Sequence, residues 1–373
     1  MHMVDVSFYI IWSGYFISLY FVIFWILVLV EKGYQDPDLK PLKNFPKVSV
    51  IIPAYNEERA IAETIESALS LEYPREKLEI IAINHGSADR TLEIMNNYKD
   101  RAKIITLPRN GNERKGAAVN AGIKASTGEF IACLDADSSI EKEALHKMLP
   151  YFEEENIGAV LPRIIPRKPT SFMQRIQYCE YIIVFFYKKM MGSIDCLYTT
   201  PGPFSLYRKE VIEKVGGFDA ENLTEDMELA LKLQKNNYKI IQTTNVEART
   251  YTPKTFKAYY WQRNRWYKGA FLNVLKHKDL ILNRKYGDLG ILQMPFIIGA
   301  AFLSLIIFTI ITINKLFIPL LRRIELTYYS GGINIQNIVT FLKNLSILDF
   351  NFDIFFWFSL LILIQLGLII AAY

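Results

Sequence analysis

Between residues 48 and 134, short, mostly apolar runs alternate with longer segments of helical period, and this alternation restricts the fold more than any other feature. Runs at 48–52, 78–83, 103–107 and 130–134 predict strands, with helices predicted between them at 57–71, 89–98 and 114–125. Asn56 is placed to cap the first helix, and Asp89 or Thr91 the second. Strands joined by helices of this length form an α/β domain with a largely parallel sheet and right-handed crossovers. Such sheets bind ligands in the crevice beyond the strand C-termini.

The last of these strands runs straight into Asp135-Ala136-Asp137. If the segment stays extended, the two carboxylates at i and i+2 point the same way and can reach one hard divalent cation, with a nucleotide diphosphate supplying further oxygens. The same residues also read as a strand end followed by a polar turn. Only the remainder of the chain separates the two readings.

Two kinds of surrounding sequence bound the function. The chain has 373 residues, of which 51% are hydrophobic, and its mean hydropathy is +0.13. Residues 6–30 contain no charge, which predicts a retained membrane-spanning helix within 1–31. A linker at 32–47 follows, and its lysines place the next domain, 48–270, in the cytosol. A C-terminal membrane region, 271–373, holds candidate spans at 289–313 and 354–373, with 314–353 on the membrane surface. The expected location is the plasma membrane, with several passes. The net charge of +5 comes without a dense basic run, so nucleic acid is not an expected partner. Cys133, Cys179 and Cys196 lack metal-ligand spacing and indicate a reducing compartment. The candidate spans carry no ionisable residue, which disfavours a transporter.

Downstream, 141–151 predicts a helix and 157–165 a strand, placed at a sheet edge by Pro162 and Pro166. Residues 171–191 predict a helix lying at the membrane interface or buried in the domain, and 201–208 a turn entering a strand. Thr224-Glu225-Asp226 opens a helix through Lys235, where Thr224 is a good cap and the acids favour the positive end of the dipole.

Taken in order, Pro53-Ala54-Tyr55-Asn56-Glu57, Gly86-Ser87-Ala88-Asp89, Asp135-Ala136-Asp137, Thr224-Glu225-Asp226 and Gln262-Arg263-Asn264-Arg265-Trp266 resemble the motifs of family 2 inverting glycosyltransferases of GT-A fold. The pentad resembles that of the processive membrane branch. Gly202-Pro203 with Tyr207-Arg208 is similar to an acceptor-side segment of hyaluronan, chitin and poly-N-acetylglucosamine synthases, to which cellulose synthases are related.

The resemblance implies roles for individual residues. Tyr55 and Glu57 would line the nucleobase pocket, and Asn84 and His85 stand where the family usually has two aspartates. Lys115 would contact the diphosphate, while Asp135 and Asp137 would hold Mn2+ or Mg2+ and the diphosphate. Asp226 would be the general base beside Glu225, and Gln262, Arg265 and Trp266 would border the acceptor and leaving group. The implied reaction takes a UDP-sugar, such as UDP-N-acetylglucosamine or UDP-glucose, to a growing polysaccharide. A single addition to a lipid acceptor and a non-catalytic sugar-binding subunit are the alternatives, the latter favoured by the neutral Asn84/His85 pair. Membrane lipids and further copies of the chain are the expected partners.

Overall fold

A computed structural model describes residues 6–34 and 36–313, with scattered positions beyond. The chain divides into two compact units, one formed by Tyr34–Met294 and the other by Met1–Gly33 with Pro295–Tyr373.

In the second of these, α1 (Val6–Lys32) and the later apolar helix described below pack together, with the rings of Phe21 and Phe296 at 4.4 Å. Among the described residues one helix, Trp12–Lys32, is long and apolar enough to cross a membrane, with a mean hydropathy of 2.2. The expected span at 354–373 and most of the segment 314–353 lie outside the described residues. Spans at both ends, and hence a multi-pass chain, are therefore not established.

The larger unit runs β1 (Val48–Ala54), α2 (Ile61–Leu69), β2 (Leu78–His85), α3 (Thr91–Asn96), β3 (Lys103–Leu107), α4 (Lys115–Ala125) and β4 (Phe130–Leu134). It continues with β5 (Ser138–Ile140), α5 (Ala144–Met148), β6 (Ile157–Pro166), α6 (Phe172–Ser193), β7 (Pro203–Arg208), α7 (Lys209–Lys214), α8 (Glu225–Lys235), β8 (Lys239–Thr250) and α9 (Phe256–Lys276). The apolar helix of the other unit is α10 (Met294–Thr312).

One eight-stranded sheet has the order β3-β2-β1-β4-β7-β6-β8-β5. Strands β1 to β4 pair in parallel, as the alternation predicts, and β7 is antiparallel to both its neighbours. Every residue of β1 is buried, so its side chains divide between two faces by simple alternation. Val50 and Ile52 join one core cluster with Ile65 and Leu145, while Ile51 joins the other with Val119 and Leu229. At about 1.5–3 kcal/mol for each fully buried Val or Ile, these two cores fix the strand ends in space.

Four local expectations fail for identifiable reasons. The first helix starts at Ile61, because Asn56 adopts a left-handed φ of 55° and turns the chain toward the loop after β2. Its N–H donates to Ser87 Oγ at 3.1 Å and its Oδ1 accepts from Ala88 N–H at 2.8 Å, so it clasps two loops and caps no helix. The helix expected over 141–151 is shorter, with β5 before it and a 3-10 turn, Leu149–Glu153, after α5. β6 is interior, between β7 and β8. Its pairing with β8 jumps from Leu161↔Gln242 to Arg163↔Glu247, and the pairing with β7 covers only Ala159 and Val160, so Pro162 lacks an N–H where neither ladder needs one.

Asp36 fastens the segment after α1 to the sheet. Its side chain is fully buried, ion-paired with Lys189, and accepts from Thr243 Oγ1 at 2.6 Å and Thr244 N–H at 2.7 Å. Burial alone would raise its carboxyl, but the Lys189 and Thr243 hydrogen bonds, the Lys189 charge and the Thr244 N–H hold it below the usual range. The stabilisation is complete above the unfolded carboxyl value near ~4 and is lost as pH falls through the lower folded value. Asp36→Ala leaves Lys189 buried without its partner and is expected to cost about 3–5 kcal/mol, measured by denaturant unfolding at pH 7.

Candidate active site

The C-terminal ends of β1, β2 and β4 open into a cleft of about 560 Å³, closed on its other sides by α4, α6, α8 and α9. Its lining includes Tyr55, Glu57, His85, Lys115, Asp135, Asp137, Glu225, Asp226, Gln262, Arg265 and Trp266. The fold therefore gathers all but one of the residues to which the resemblance assigns an individual role. The exception is Asn84, which is 2% exposed and whose Oδ1 accepts from Ser87 N–H at 3.3 Å, so it shapes the Gly86 turn.

At one end the ring of Tyr55 is 45% exposed, and the Arg109 guanidinium lies 4.1 Å from its centroid. A planar cation over an aromatic face prepares a slot in which a base can stack. Glu57 sits beside it; burial, then the charges of Asp137, Asp135 and Asp89, push its carboxyl up to about 7. His85 is buried with Nε2 3.7 Å from Glu113 Oε2 and no hydrogen-bond partner for that nitrogen.

In the middle, β4 ends at Leu134 and Asp135-Ala136-Asp137 forms a turn closed by Ser138 N–H donating to Asp135 O at 3.0 Å. The carboxylates thus reach the same cleft through a turn and not through an extended segment. Lys115, the first residue of α4, pairs with Asp135 and lies 3.4 Å from Glu225 Oε1. Burial opposes its charge, yet Asp135 and Glu225 hold the ammonium well above its ordinary value. Asp137 is pushed up by burial and by the charge of Asp135, despite hydrogen bonds from Ser138 Oγ at 3.0 Å and Thr250 Oγ1 at 3.4 Å.

This crowding of acids is the observation that suits a divalent cation: Asp135 and Asp137 are hard oxygen donors carrying more negative charge than Lys115 offsets. Among the described residues no three acidic, His or Cys side chains converge as a ready-made metal cage. A cation here would complete its shell with oxygens from the ligand and water, the usual arrangement for Mg2+ bound together with phosphates.

Opposite stands the start of α8. Thr224 occupies the cap position without capping; its Oγ1 and carbonyl both accept from Asn273 Nδ2 of α9 at 3.0 Å. Within the first turn, Asp226 Oδ1 accepts from Met227 N–H at 2.9 Å, an N–H that also donates to Thr224 O, while the Asp226 carbonyl accepts from Thr200 Oγ1 at 2.9 Å. Glu225 is 6% exposed; burial raises its carboxyl although Lys115 opposes the rise. On α9, Gln262 Oε1 has no hydrogen-bond partner and Arg265 Nη1 donates to Leu223 O at 3.4 Å.

Sequence reasoning missed Arg109, Glu180, Lys188 and Arg263, all on the cleft wall. Burial pushes the Lys188 ammonium down to about 8, against the opposing charge of Asp226. No local signal marks Arg109, Glu180 or Lys188, which reach the cleft through the packing of α6 and the β3–α4 loop, whereas Arg263 lies inside the Gln262–Trp266 pentad and was given no role there.

A mostly parallel sheet whose strand ends present an exposed aromatic, a carboxylate pair and a lysine, faced by a helix-borne acid, defines a domain of GT-A-like fold. The chain belongs to glycosyl transferase family 2, whose model matches residues 49–216. It is similar to the poly-β-1,6-N-acetyl-D-glucosamine synthase of Staphylococcus epidermidis, 31% identical over 298 residues that cover 78% of this chain and 69% of that protein. It is also similar to the probable glycosyltransferase YdaM of Bacillus subtilis, 34% identical over 242 residues, 63% of this chain and 58% of that protein. Among solved structures, the mannosyltransferase PcManGT from Pyrobaculum calidifontis, in complex with GDP-Man and Mn2+, superposes with a TM-score of 0.63 over 97% of this chain and 95% of its own. At 19% identity that likeness shows the fold. The resemblance to poly-N-acetylglucosamine synthases stated from the motifs is therefore borne out at the level of family.

Proposed function

We propose that the chain is a membrane-anchored, metal-dependent inverting glycosyltransferase that moves a sugar, such as N-acetylglucosamine, from a UDP-linked donor to a growing polysaccharide. The observation that carries this reading is the opposition, across one cleft, of the Lys115–Asp135–Asp137 group and the carboxylate of Asp226.

In this reading Tyr55 and Arg109 hold the base, and Lys115 and Arg114 lie along the diphosphate. Asp226 accepts the proton of the acceptor hydroxyl as its oxygen bonds to the anomeric carbon from the face opposite the leaving group. The bond from that carbon to the diphosphate oxygen breaks, and the nucleoside diphosphate departs with the electron pair. A divalent ion held by Asp135 and Asp137 would neutralise charge on the leaving diphosphate. Trp266 and Gln262 face the same space and suit a sugar ring, one by stacking and one through its unpartnered carbonyl. α1 provides the anchor, with the catalytic domain on the cytosolic side.

A single addition to an amphipathic lipid acceptor is the second reading. It is favoured by Lys188, set on a cleft wall with Val184, Phe185 and Ile164. One assay tests both: purified full-length chain with labelled UDP-N-acetylglucosamine and Mn2+. UDP release is expected, falling at least about a hundredfold with EDTA and returning with Mn2+ or Mg2+. A polymer supports the first reading and one lipid-linked sugar the second. No nucleotide release from any UDP- or GDP-sugar would leave the non-catalytic subunit as the account.

A further inference from the structure

α6 and α9 are joined at the cleft by side chains that the transfer chemistry above leaves unused. Arg263 Nη2 donates to Glu180 Oε2 at 2.6 Å, with the two side chains 13% and 32% exposed. The same guanidinium lies 4.2 Å from the ring centre of Trp266 and 4.8 Å from that of Tyr259. Arg263 Nε is buried without a hydrogen-bond partner, so Glu180 and the two rings are what fix the orientation of the fork.

The neighbouring contacts are of another kind. Gln174 Nε2 donates to Thr252 O at 2.9 Å, Gln177 Nε2 to Pro253 O at 2.8 Å and Ser171 Oγ to Lys254 O at 3.0 Å. These bonds hold the backbone that enters α9 and do not reach the indole. Only the Glu180–Arg263 pair acts at the level of the cleft, which Glu180, Arg263 and Trp266 all line. A guanidinium covering one face of an indole restricts its rotation, leaving its other surface for a ligand.

We propose that Glu180 is a positioning residue: by holding Arg263 it sets the plane of Trp266 as the platform on which the acceptor saccharide stacks. This rests on the glycosyl-transfer reading and deepens it by naming what orients the acceptor. Without the Glu180 charge the guanidinium regains its rotamers and the indole loses its fixed neighbour. The donor end, built on β1, β4 and α4, shares no side chain with this pair.

The test compares Glu180→Gln and Glu180→Asp with the wild-type chain, using Trp266→Phe to isolate the fluorescence of Trp266. In Glu180→Gln the Trp266 signal is expected to shift and its acrylamide quenching constant to at least double, whereas Glu180→Asp stays near wild type. With an N-acetylglucosamine pentasaccharide as acceptor, Glu180→Gln should raise the acceptor KM at least tenfold at unchanged KM for UDP-N-acetylglucosamine, with Glu180→Asp within threefold of wild type. An unchanged Trp266 signal in Glu180→Gln, or donor and acceptor KM rising together, overturns the proposal. Were the wild type to release no nucleotide, the catalytic reading would fall, while the fluorescence arm would still decide the role of Glu180.

Discussion

Asp226→Asn is expected to lower sugar transfer by about a thousandfold, or about 4 kcal/mol in the barrier, while donor affinity changes little. Asparagine keeps the size of the side chain, and its Oδ1 can still accept from Met227 N–H, so the start of α8 has no reason to move. What is lost, on the proposed mechanism, is the group that takes a proton, and a general base is worth about 10²–10⁴ in rate. Glu225 makes the informative contrast. It faces Lys115 at 3.4 Å, so Glu225→Gln should act through the lysine and raise the donor KM more than it lowers kcat. Steady-state UDP release with donor varied at saturating acceptor separates the two. Retention of more than about half of the wild-type kcat by Asp226→Asn would remove it as the base.

How much of this was legible beforehand depended on whether the cause was local. The strands β1, β2 and β4 show in the sequence because each is a short, mostly apolar run buried on both faces, and β3, which is only partly buried, because Ile104, Ile105 and Thr106 form a β-branched run. β8 does not, although it is the longest strand among the described residues, because it carries Gln242, Thr243, Thr244 and Asn245. Its polar groups are satisfied from elsewhere, by Asp36 and by the carbonyls of Leu161 and Pro162 that accept from Gln242 Nε2. A strand built on partners about 80 to 200 residues away offers no periodicity to read. The prolines of β6 misled in the same way: they indicate a missing N–H, and an irregular register accommodates one inside a sheet as readily as an edge does.

The site divides along the same line. Asp135, Asp137 and Asp226 were legible as members of ordered motifs, and the cleft collects them. The geometry between them was not, since the Asp-Ala-Asp segment turns where an extended strand was expected, and Thr224 gives up capping to bind Asn273. Lys188 sits in a helix whose sequence reads as interfacial or domain-buried, and Arg263 inside a motif that assigns roles to its neighbours; the packing of α6 against α9 brings both to the cleft and pairs Arg263 with Glu180.

Gly202→Ala is expected to reduce turnover by about a hundredfold or more with little loss of stability. Gly202 has no positive φ, so the backbone tolerates alanine, and the effect is one of space alone. A methyl at this position would overlap the Asp135 carboxylate and the Lys115 ammonium. Both are ends of side chains and can swing away, so the sheet core keeps its packing and the unfolding free energy should change by less than about 1 kcal/mol. The swing separates Lys115 from Asp135 and turns the carboxylate out of the place it shares with Asp137. A loss of about 3 kcal/mol in transition-state stabilisation corresponds to the hundredfold fall. Donor KM, Mn2+ dependence and thermal unfolding, measured on one preparation, distinguish this from general damage. The expected pattern is a raised KM for UDP-N-acetylglucosamine and a raised Mn2+ requirement at a nearly unchanged Tm. Full activity in Gly202→Ala would mean that the Lys115–Asp135 contact is dispensable, and the diphosphate would then have to be held by Arg114 and Arg265 instead.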